Sequence, residues 1–425
     1  MIKDQNVEKK TSSNTQNKSS ADSGGKKSKK DFSLKTPEIK TPTGGGAIKG
    51  IDEKFQVNPN TGTLNFRIPL PFSEGRGLKP NLRLSYNSGA GNGIFGLGWN
   101  LNLPRIKRKT EKKLPQYTAD DTFVLSGVED LVPINKEVDE IEDTYPYQVR
   151  RYRPRIESDF SRIEKITHSN KGIWWKVTSP KNVVTIFGRN ESYRISDPSN
   201  PTKIFEWLPE LRYDDKGNCI KFEFKKENGS GYNQEVFDKN RFDDQGKPLF
   251  VNKYLKRIWY TNRKPFFPVT DEPSGIYDPV LPDNGGNRFL MEAVFDYGEH
   301  GALPSDVEQG SVTVNHEEDS EGREWKERRD AFSDYSAGFE IRTARLCQRM
   351  LMYHHFDELE EAPYLVRSMD FNYKKWKRSE NEEVGKKLEA TYLKSITNVV
   401  TNLREIKRMS TGISPYLRWN LNTRN

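Results

Sequence analysis

The chain has 425 residues, of which 33% are apolar, 31% charged and 11% aromatic, a mixture typical of broad sheets with one solvated face. Its net charge is +8, but residues 1–50 hold 11 lysines and 5 acidic residues and so supply +6 of it. The remaining 375 residues carry 58 basic and 56 acidic side chains, a balance that argues against a nucleic-acid-binding body.

The two cysteines, Cys219 and Cys347, are too far apart in the sequence to form a C-x-x-C site. We expect two free, buried thiols and a reducing folding compartment, with a single disulfide as the alternative. The first 30 residues lack the apolar segment of a secretory signal peptide, and no apolar run approaches the roughly 18 residues that span a bilayer.

The composition of residues 1–43 predicts a disordered tail, because this Lys- and Ser-rich segment has almost no large apolar side chain to bury. Residues 44–398 contain no clear linker and are predicted to form one extended β domain. Residues 399–425 form a short C-terminal segment.

Strand and hairpin patterns dominate the body of the chain. Apolar and polar residues alternate over 64–70, 82–86 and 99–103, with Pro69 marking an edge or a strand's end. Two copies of a D-D-x-G turn lie between strand-like segments. We therefore predict a mainly β fold, an extended antiparallel hairpin array with few helices. The predicted hairpins span 172–188, 211–224 and 241–251, the predicted helices 325–332 and 402–409, and a long loop 265–287.

A glycine-rich stretch, G-A-G-N-G-I-F-G at 89–96, contains the spacing G-x-G-x-x-G at Gly91, Gly93 and Gly96. A dinucleotide loop needs a helix to start within these glycines. Here L-G-W-N-L-N-L alternates with period two, and Pro104 would end a helix. The stretch is therefore predicted to join two strands, with glycines that permit sharp turns and close backbone approach.

The histidines and cysteines suggest no reaction centre. His354 and His355 are adjacent, so in a strand they face opposite sides and do not share a metal easily. Cys347 lies seven residues before His354, which is not a recognised Cys–His arrangement. Surface or packed positions are the favoured interpretation for the two histidines, and packing is favoured for Cys347.

Two pairs of acidic residues match E-x-E, Glu140 with Glu142 and Glu358 with Glu360. Each pair lies in a wider acidic run, which is typical of a solvated face. We therefore assign no catalytic, cofactor-binding or metal-binding residue from the sequence, expect no cofactor, and predict that this chain is not an enzyme.

Several blocks, in a fixed order over about residues 41–398, resemble a family of bacterial toxins. The family comprises the SpvB virulence proteins and the B components of insecticidal toxin complexes (Tc toxins). The blocks that carry the resemblance are T-P-T-G-G-G-A-I-K-G-I-D-E-K-F at 41–55, L-S-Y-N-S-G-A-G-N-G-I-F-G-L-G-W at 84–99, D-T-F-V-L-S-G-V-E-D-L-V-P at 121–133, I-S-D-P-S-N-P-T-K-I-F-E-W-L at 195–208 and I-R-T-A-R-L-C-Q-R-M-L-M-Y-H-H-F at 341–356.

The resemblance implies part of a hollow Rhs/Tc-type β shell that helps to encapsulate and deliver a toxic polypeptide. It implies a Tc-type C component with Rhs/YD repeats as partner and, indirectly, a pore-forming A component, with neither nucleic acid nor a membrane span. It also implies a secreted toxin component without a classical signal peptide, cytoplasmic before release.

Two alternatives remain open. The chain could be the N-terminal part of an SpvB-like ADP-ribosyltransferase acting on actin, although the S-T-S of that transferase family does not occur here. It could also be a surface or glycan-binding β module. Residues 399–425 do not resemble the family, which suggests a truncated gene product, a split gene or a fragment.

Overall fold

The computed structural model describes residues 56–59, 61–126, 130–134, 139–140, 146–157, 159–232, 236–271, 273–279, 288–303, 314–318, 324–359, 363–377, 389–400 and 415–420. Residues 51–425 form one compact unit. The tail predicted over 1–43, the helix predicted over 402–409 and most of 399–425 lie outside the described residues, so those predictions remain predictions.

A four-stranded antiparallel sheet opens the described fold. Its alternating strands put Phe66 and Leu84 on the buried face, as the sequence predicts. Pro69 is the last residue of its strand, a position that tolerates a residue without an N–H group. The sheet has the order β1-β2-β3-β6, and the strands of this region are β1 Gln56–Val57, β2 Leu64–Pro69, β3 Arg83–Asn87, β4 Asn92–Gly93, β5 Gly96–Leu97 and β6 Trp99–Leu101.

A much larger antiparallel sheet of 18 described strands follows. Most neighbours in this sheet are consecutive hairpin partners, which confirms the predicted hairpin array. The strands after β6 are β7 Ile106–Arg108, β8 Phe123–Leu125, β9 Asp130–Pro133, β10 Asp139–Glu140, β11 Tyr147–Pro154, β12 Arg162–His168, β13 Gly172–Thr178, β14 Val184–Phe187, β15 Arg194–Ser196, β16 Ile204–Trp207, β17 Pro209–Tyr213, β18 Cys219–Lys226, β19 Lys253–Asn262, β20 Phe289–Asp296, β21 Phe332–Asp334, β22 Ile341–Thr343, β23 Arg349–His354, β24 Tyr364–Lys377, β25 Glu389–Val400 and β26 Pro415–Asn420.

The ladder runs through β15, β16, β7, β8, β9, β11, β12, β13, β14, β17, β18, β19, β20, β23, β24, β25 and β26, and β10 also pairs with β11. Among the described strands no pairing joins β15 to β26, so the sheet is open. Strands β21 and β22 form a separate two-stranded ribbon.

Helix is scarce in the described part of the chain. It consists of the α-helix α1, Pro273–Tyr277, and 3₁₀ turns at Glu191–Tyr193 and Val236–Arg241. No described helix is long and apolar enough to span a bilayer. The sequence predicted a long loop over 265–287, but the structure has the short helix α1 within this range. A helix can start at Pro273 because the fixed backbone angle of proline suits the first helical position.

The helix predicted over 325–332 is wrong. Residues 324–328 are irregular, and Phe332 already begins β21. Trp325 is almost fully buried, and the Arg328 amide donates to the Ala344 carbonyl over 2.8 Å. These tertiary contacts hold the segment in a non-helical conformation, and they outweigh its local helix propensity.

The two D-D-x-G turns share one local structure. The Asp214 carboxylate accepts from the Lys216 and Asn218 amides, and the Asp243 carboxylate accepts from the Gln245 and Lys247 amides. The first turn joins β17 to β18, as predicted, and the hairpin predicted over 172–188 is β13 and β14. The second turn is flanked by a single bridge, Phe242–Pro248, so the hairpin predicted over 241–251 is only partly formed.

The small sheet packs on one face of β18–β25. Phe66, Leu84 and Phe95 share a buried cluster with Ile258 and Phe371 of the large sheet. Each such side chain contributes about 1.5–3 kcal/mol when fully buried. On the opposite face of the large sheet, Trp259 of β19, Glu292 of β20 and Tyr353 of β23 lie side by side. Polar side chains are buried on this face, Glu292 among them.

Candidate functional site

The glycine-rich stretch forms a loop between β3 and β6, within which β4 and β5 make a two-stranded ribbon. Strand β6 follows it, so the prediction that the stretch joins strands is confirmed. Gly96 and Gly98 have φ of 87° and 80°, a left-handed backbone that glycine adopts without strain. We call residues 91–98 the glycine loop.

The glycine loop packs against the backbone of β25. A Cβ atom on Gly96 would lie 2.7 Å from the Thr391 carbonyl oxygen, and one on Gly98 would lie 2.6 Å from the Tyr86 ring. The Thr391 backbone thus lies where a side chain on residue 96 would project. Close approach to protein backbone is the physical reason for these glycines, as the sequence suggests.

A polar clamp fixes the glycine loop to the large sheet. The buried Arg328 donates to the Gly93 carbonyl over 2.6 Å and to the Asn92 amide oxygen over 2.9 Å. Its other bonds go to the Asp330 carboxylate at 2.8 Å, which also accepts from the Asn92 side chain and the Thr391 amide at 3.0 Å each. One guanidinium and one carboxylate therefore join three segments of the chain.

Apolar contacts complete this docking. Phe95 is fully buried, and its ring lies edge-on to Phe371 with centroids 5.2 Å apart. The Cys347 amide donates to the Ile94 carbonyl over 2.9 Å. The arrangement orients the small sheet on the large one, and we regard it as an architectural site.

The two cysteines are free and buried. Burial raises the pKa of Cys219 to about 12 and holds the pKa of Cys347 well above its usual value. Both thiols are therefore protonated at neutral pH and poor nucleophiles. The expectation of free buried thiols is confirmed.

The adjacent histidines have different partners. His354 Nε2 lies 2.9 Å from the Ser73 hydroxyl, whereas His355 Nε2 lies 2.8 Å from the Glu292 carboxylate. They do face opposite sides of the sheet. In the acidic pairs, Glu358 is exposed and Glu140 lies in β10, while Glu142 and Glu360 are outside the described residues.

The sequence analysis missed a polar cluster on the far face of the large sheet. Glu292, wholly buried on β20, accepts from His316 and His355 and pairs with Arg257. Burial alone would raise the pKa of Glu292, but the two histidines and the Arg257 charge hold it at about 2. The sequence did contain one local sign of this cluster, a glutamate within the otherwise apolar stretch F-L-M-E-A-V-F at 289–295.

A second polar cluster lies beside the first. Burial alone would raise the pKa of Glu299, but the charges and hydrogen bonds of Lys256 and Lys225 hold it at about 2. Lys225 also reaches Glu318 over 2.6 Å. Residues 314–318 therefore supply His316 to one cluster and Glu318 to the other.

Comparison with known proteins identifies the family to which this chain belongs. A family model described as "Salmonella virulence plasmid 65kDa B protein" matches residues 58–356. The mono(ADP-ribosyl)transferases SpvB of Salmonella typhimurium and Salmonella dublin are each 32% identical to this chain over 355 residues, which are 80% of this chain and 55% of the relative. The chain thus spans about half the length of these curated relatives.

Solved structures give the same result. The N-terminal domain of the effector SpvB from Salmonella typhimurium strain LT2 superposes with a TM-score of 0.64 at 31% identity, over 79% of this chain and 98% of that one. The crystal structure of TcdB2-TccC3 superposes with a TM-score of 0.68 at 30% identity, over 92% of this chain and 17% of that one. A Tc holotoxin pore of Photorhabdus luminescens gives 0.68 at 29% identity, over 93% of this chain and 17% of that one. This chain belongs to the SpvB family, Salmonella virulence plasmid 65 kDa B protein.

Proposed function

We propose that this chain is a structural component of a toxin complex, a β domain that forms part of a shell around a toxic polypeptide. The observation that carries the proposal is the shared architecture with TcdB2-TccC3 over 92% of this chain. The partner in this proposal is a Tc-type C component with Rhs/YD repeats, and through it a pore-forming A component. In this proposal the complex acts outside the cell that makes it.

The physical chemistry of the fold supports an architectural role. The glycine loop and its clamp join the two sheets, as a shell wall requires. Strand β26 pairs only with β25 among the described strands, so it lies at an edge of the large sheet. A partner's strand can complete such an edge through main-chain hydrogen bonds, and partner side chains then set specificity.

Co-expression with a Tc-type C component tests the proposal. We expect a stoichiometric complex in size-exclusion chromatography with light scattering, and protection of the enclosed C-terminal segment from protease. The control is the same C component without that segment, which should still bind the chain. A chain that elutes alone in both experiments would contradict the proposal.

The relatives' name raises a second candidate function, transfer of ADP-ribose. The match to the SpvB N-terminal domain covers 98% of that domain, whereas only 55% of the whole relative is matched. These coverages favour a non-catalytic role for the residues of this chain. We expect no transfer of labelled ADP-ribose from NAD to actin by the purified chain, and measurable transfer would overturn this assignment.

A further inference from the structure

Three metal-ligand side chains meet on the face of the large sheet away from the small sheet. Glu292 on β20 lies opposite Tyr353 of β23, and His355 follows Tyr353 by two residues. Side chains two residues apart on an extended strand share a face, so His355 lies beside Glu292. His316 reaches the same place from residues 314–318.

The donor atoms of these three side chains converge. The Glu292 Oε2 atom lies 2.7 Å from His316 Nε2 and 2.8 Å from His355 Nε2, and all three donors lie within 4.8 Å of one another. A zinc ion 2.0–2.1 Å from each donor in a tetrahedral site needs the donors about 3.3 Å apart. Small side-chain rotations reach that spacing.

Neighbouring groups hold the three ligands in place. Arg257 pairs with Glu292 Oε1 and leaves Oε2 facing the histidines. His316 presents its other ring nitrogen, Nδ1, to the Glu317 carboxylate over 3.2 Å. A carboxylate on the far nitrogen of a histidine is the usual outer-shell support of a metal ligand.

The segment that carries His316 is anchored on both sides. The Asn315 amide donates to the His300 carbonyl over 3.1 Å, and the Asn315 carbonyl lies 2.9 Å from His300 Nδ1. Glu318 pairs with Lys225 over 2.6 Å. His316 is thus positioned before any ligand arrives, with its side chain 20% exposed as the route of entry.

The surroundings are aromatic and incompletely hydrogen-bonded. The Tyr353 ring lies 4.9 Å from the His316 ring, and the Trp259 ring lies 5.4 Å from the His355 ring. The Tyr353 hydroxyl and the Trp259 indole nitrogen are buried without a hydrogen-bond partner among the described residues. Native interiors rarely leave such groups unsatisfied, so these two groups are candidates to bind a further polar ligand.

The neighbouring cluster of Glu299, His300 and Glu318 contrasts with this one. Lys256 Nζ lies 2.7 Å from Glu299 Oε1 and 2.8 Å from His300 Nε2, so an ammonium already occupies the cation position. In the first cluster the Arg257 guanidinium pairs with Glu292 Oε1, and its Nη1 atom also lies 3.3 Å from His316 Nε2, a contact that a bound ion would replace.

We propose that Glu292, His316 and His355 bind one divalent transition-metal ion, with zinc as the best fit. Two imidazole nitrogens and one carboxylate oxygen suit zinc and its neighbours, whereas magnesium and calcium prefer all-oxygen ligands. Three protein ligands leave a fourth position for water. The ion would tie residues 314–318 to β20 and β23, and so stabilise the folded chain.

The test uses the untagged full chain after chelator treatment, titrated with ZnCl2 by calorimetry and with CoCl2 by visible absorption. We expect one zinc per chain, a rise in thermal midpoint with zinc, and the intense absorption of tetrahedral Co(II). The variants His316→Ala, His355→Ala and Glu292→Gln should each weaken zinc binding at least tenfold. His316→Ala lies on a loop and preserves the sheet, so it decides the outcome if a buried variant fails to fold.

His354→Ala is the matched control, since it removes the adjacent histidine on the opposite face. It should bind zinc as the parent chain does. Absence of stoichiometric zinc binding by the parent chain would overturn the proposal. Binding that survives both His316→Ala and Glu292→Gln would overturn it equally, because the ion would then occupy another place.

Discussion

Gly96 packs directly on the backbone of Thr391, because a Cβ at residue 96 would lie 2.7 Å from the Thr391 carbonyl oxygen. Gly96→Ala forces this contact apart and also puts alanine at φ 87°. We expect a loss of about 3 kcal/mol in the free energy of unfolding, measured by urea denaturation.

Gly91→Ala is the matched control within the same motif. A Cβ there meets nothing within 4 Å, and the residue has no left-handed backbone. We expect Gly91→Ala to raise the free energy of unfolding slightly, by no more than about 1 kcal/mol. Equal losses for the two variants would contradict the close-approach explanation.

Arg345 and Glu227 form an ion pair whose side chains are both 0% exposed. Arg345 also donates to the carbonyls of Trp325 over 2.7 Å and Ser230 over 2.8 Å. Arg345→Met leaves the Glu227 charge buried without its partner, so we expect a loss of about 3–5 kcal/mol in urea denaturation.

An exposed ion pair provides the comparison for that variant. Glu74 is 82% exposed beside Lys79. Glu74→Gln should change the unfolding free energy by less than about 1 kcal/mol, because solvent screens such pairs. A small effect of Arg345→Met would show that the buried pair is dispensable.

The lowered pKa of Asp330 predicts that the folded chain loses stability in acid. Burial alone would raise the pKa of Asp330, but Arg328, Asn92 and Thr391 hold it at about 2, below the usual 3.8. The ionised carboxylate therefore adds its full stabilisation above about pH 4, and this is lost as the pH falls towards 2. Asp330→Asn should cost about 2 kcal/mol at pH 7 and flatten the decline in stability between pH 4 and 2.

Urea midpoints across that pH range, compared between the parent chain and Asp330→Asn, measure the effect. The exposed variant Asp120→Asn serves as the control, since it should leave the pH dependence unchanged. A parallel decline in the parent chain and Asp330→Asn would rule out Asp330 as a source of the acid sensitivity.

Because both cysteines are buried, we expect thiol reagents to label them slowly in the native chain. Burial raises the pKa of Cys219 to about 12 and holds the pKa of Cys347 well above its usual value, so neither thiol should react appreciably with a thiol reagent in the native chain at pH 8. Both should react at once in urea. Thr61→Cys, which places a thiol at an exposed position, should label rapidly and shows that the reagent is active. Rapid native labelling of the parent chain would contradict the packing around Cys347.

Arg212 lines a cavity of about 850 Å³ between the two sheets, together with Arg83 and Arg105. Its Nε atom is buried without a hydrogen-bond partner among the described residues, and burial lowers its pKa. Arg212→Leu removes the desolvation cost of this buried Nε atom, so we expect unchanged or higher stability in thermal unfolding. A large loss of stability would reveal a compensating partner for the charge.

The strands and turns follow from the sequence because their causes are local. The alternation over 64–70 and the Asp214 turn depend on residues a few positions apart, and both appear as predicted. The helix prediction over 325–332 failed for the opposite reason, since residues distant in the chain hold Trp325 and Arg328 in a non-helical segment. Cys347 is buried and Glu358 is exposed, as their neighbours in sequence indicated, while Glu142 and Glu360 lie outside the described residues.

By itself the sequence determined a β-rich hairpin array, the strand-to-strand role of the glycine loop and, through its ordered motifs, the family. Only the tertiary structure brought Glu292, His316 and His355 together, and only it joined Arg328 and Asp330 to the glycine loop. Period-two alternation assigns a side chain to one face of its own strand, but it does not say which strands become neighbours. A site assembled from β20, β23 and a distant loop depends on that long-range pairing. No short sequence motif therefore identifies it.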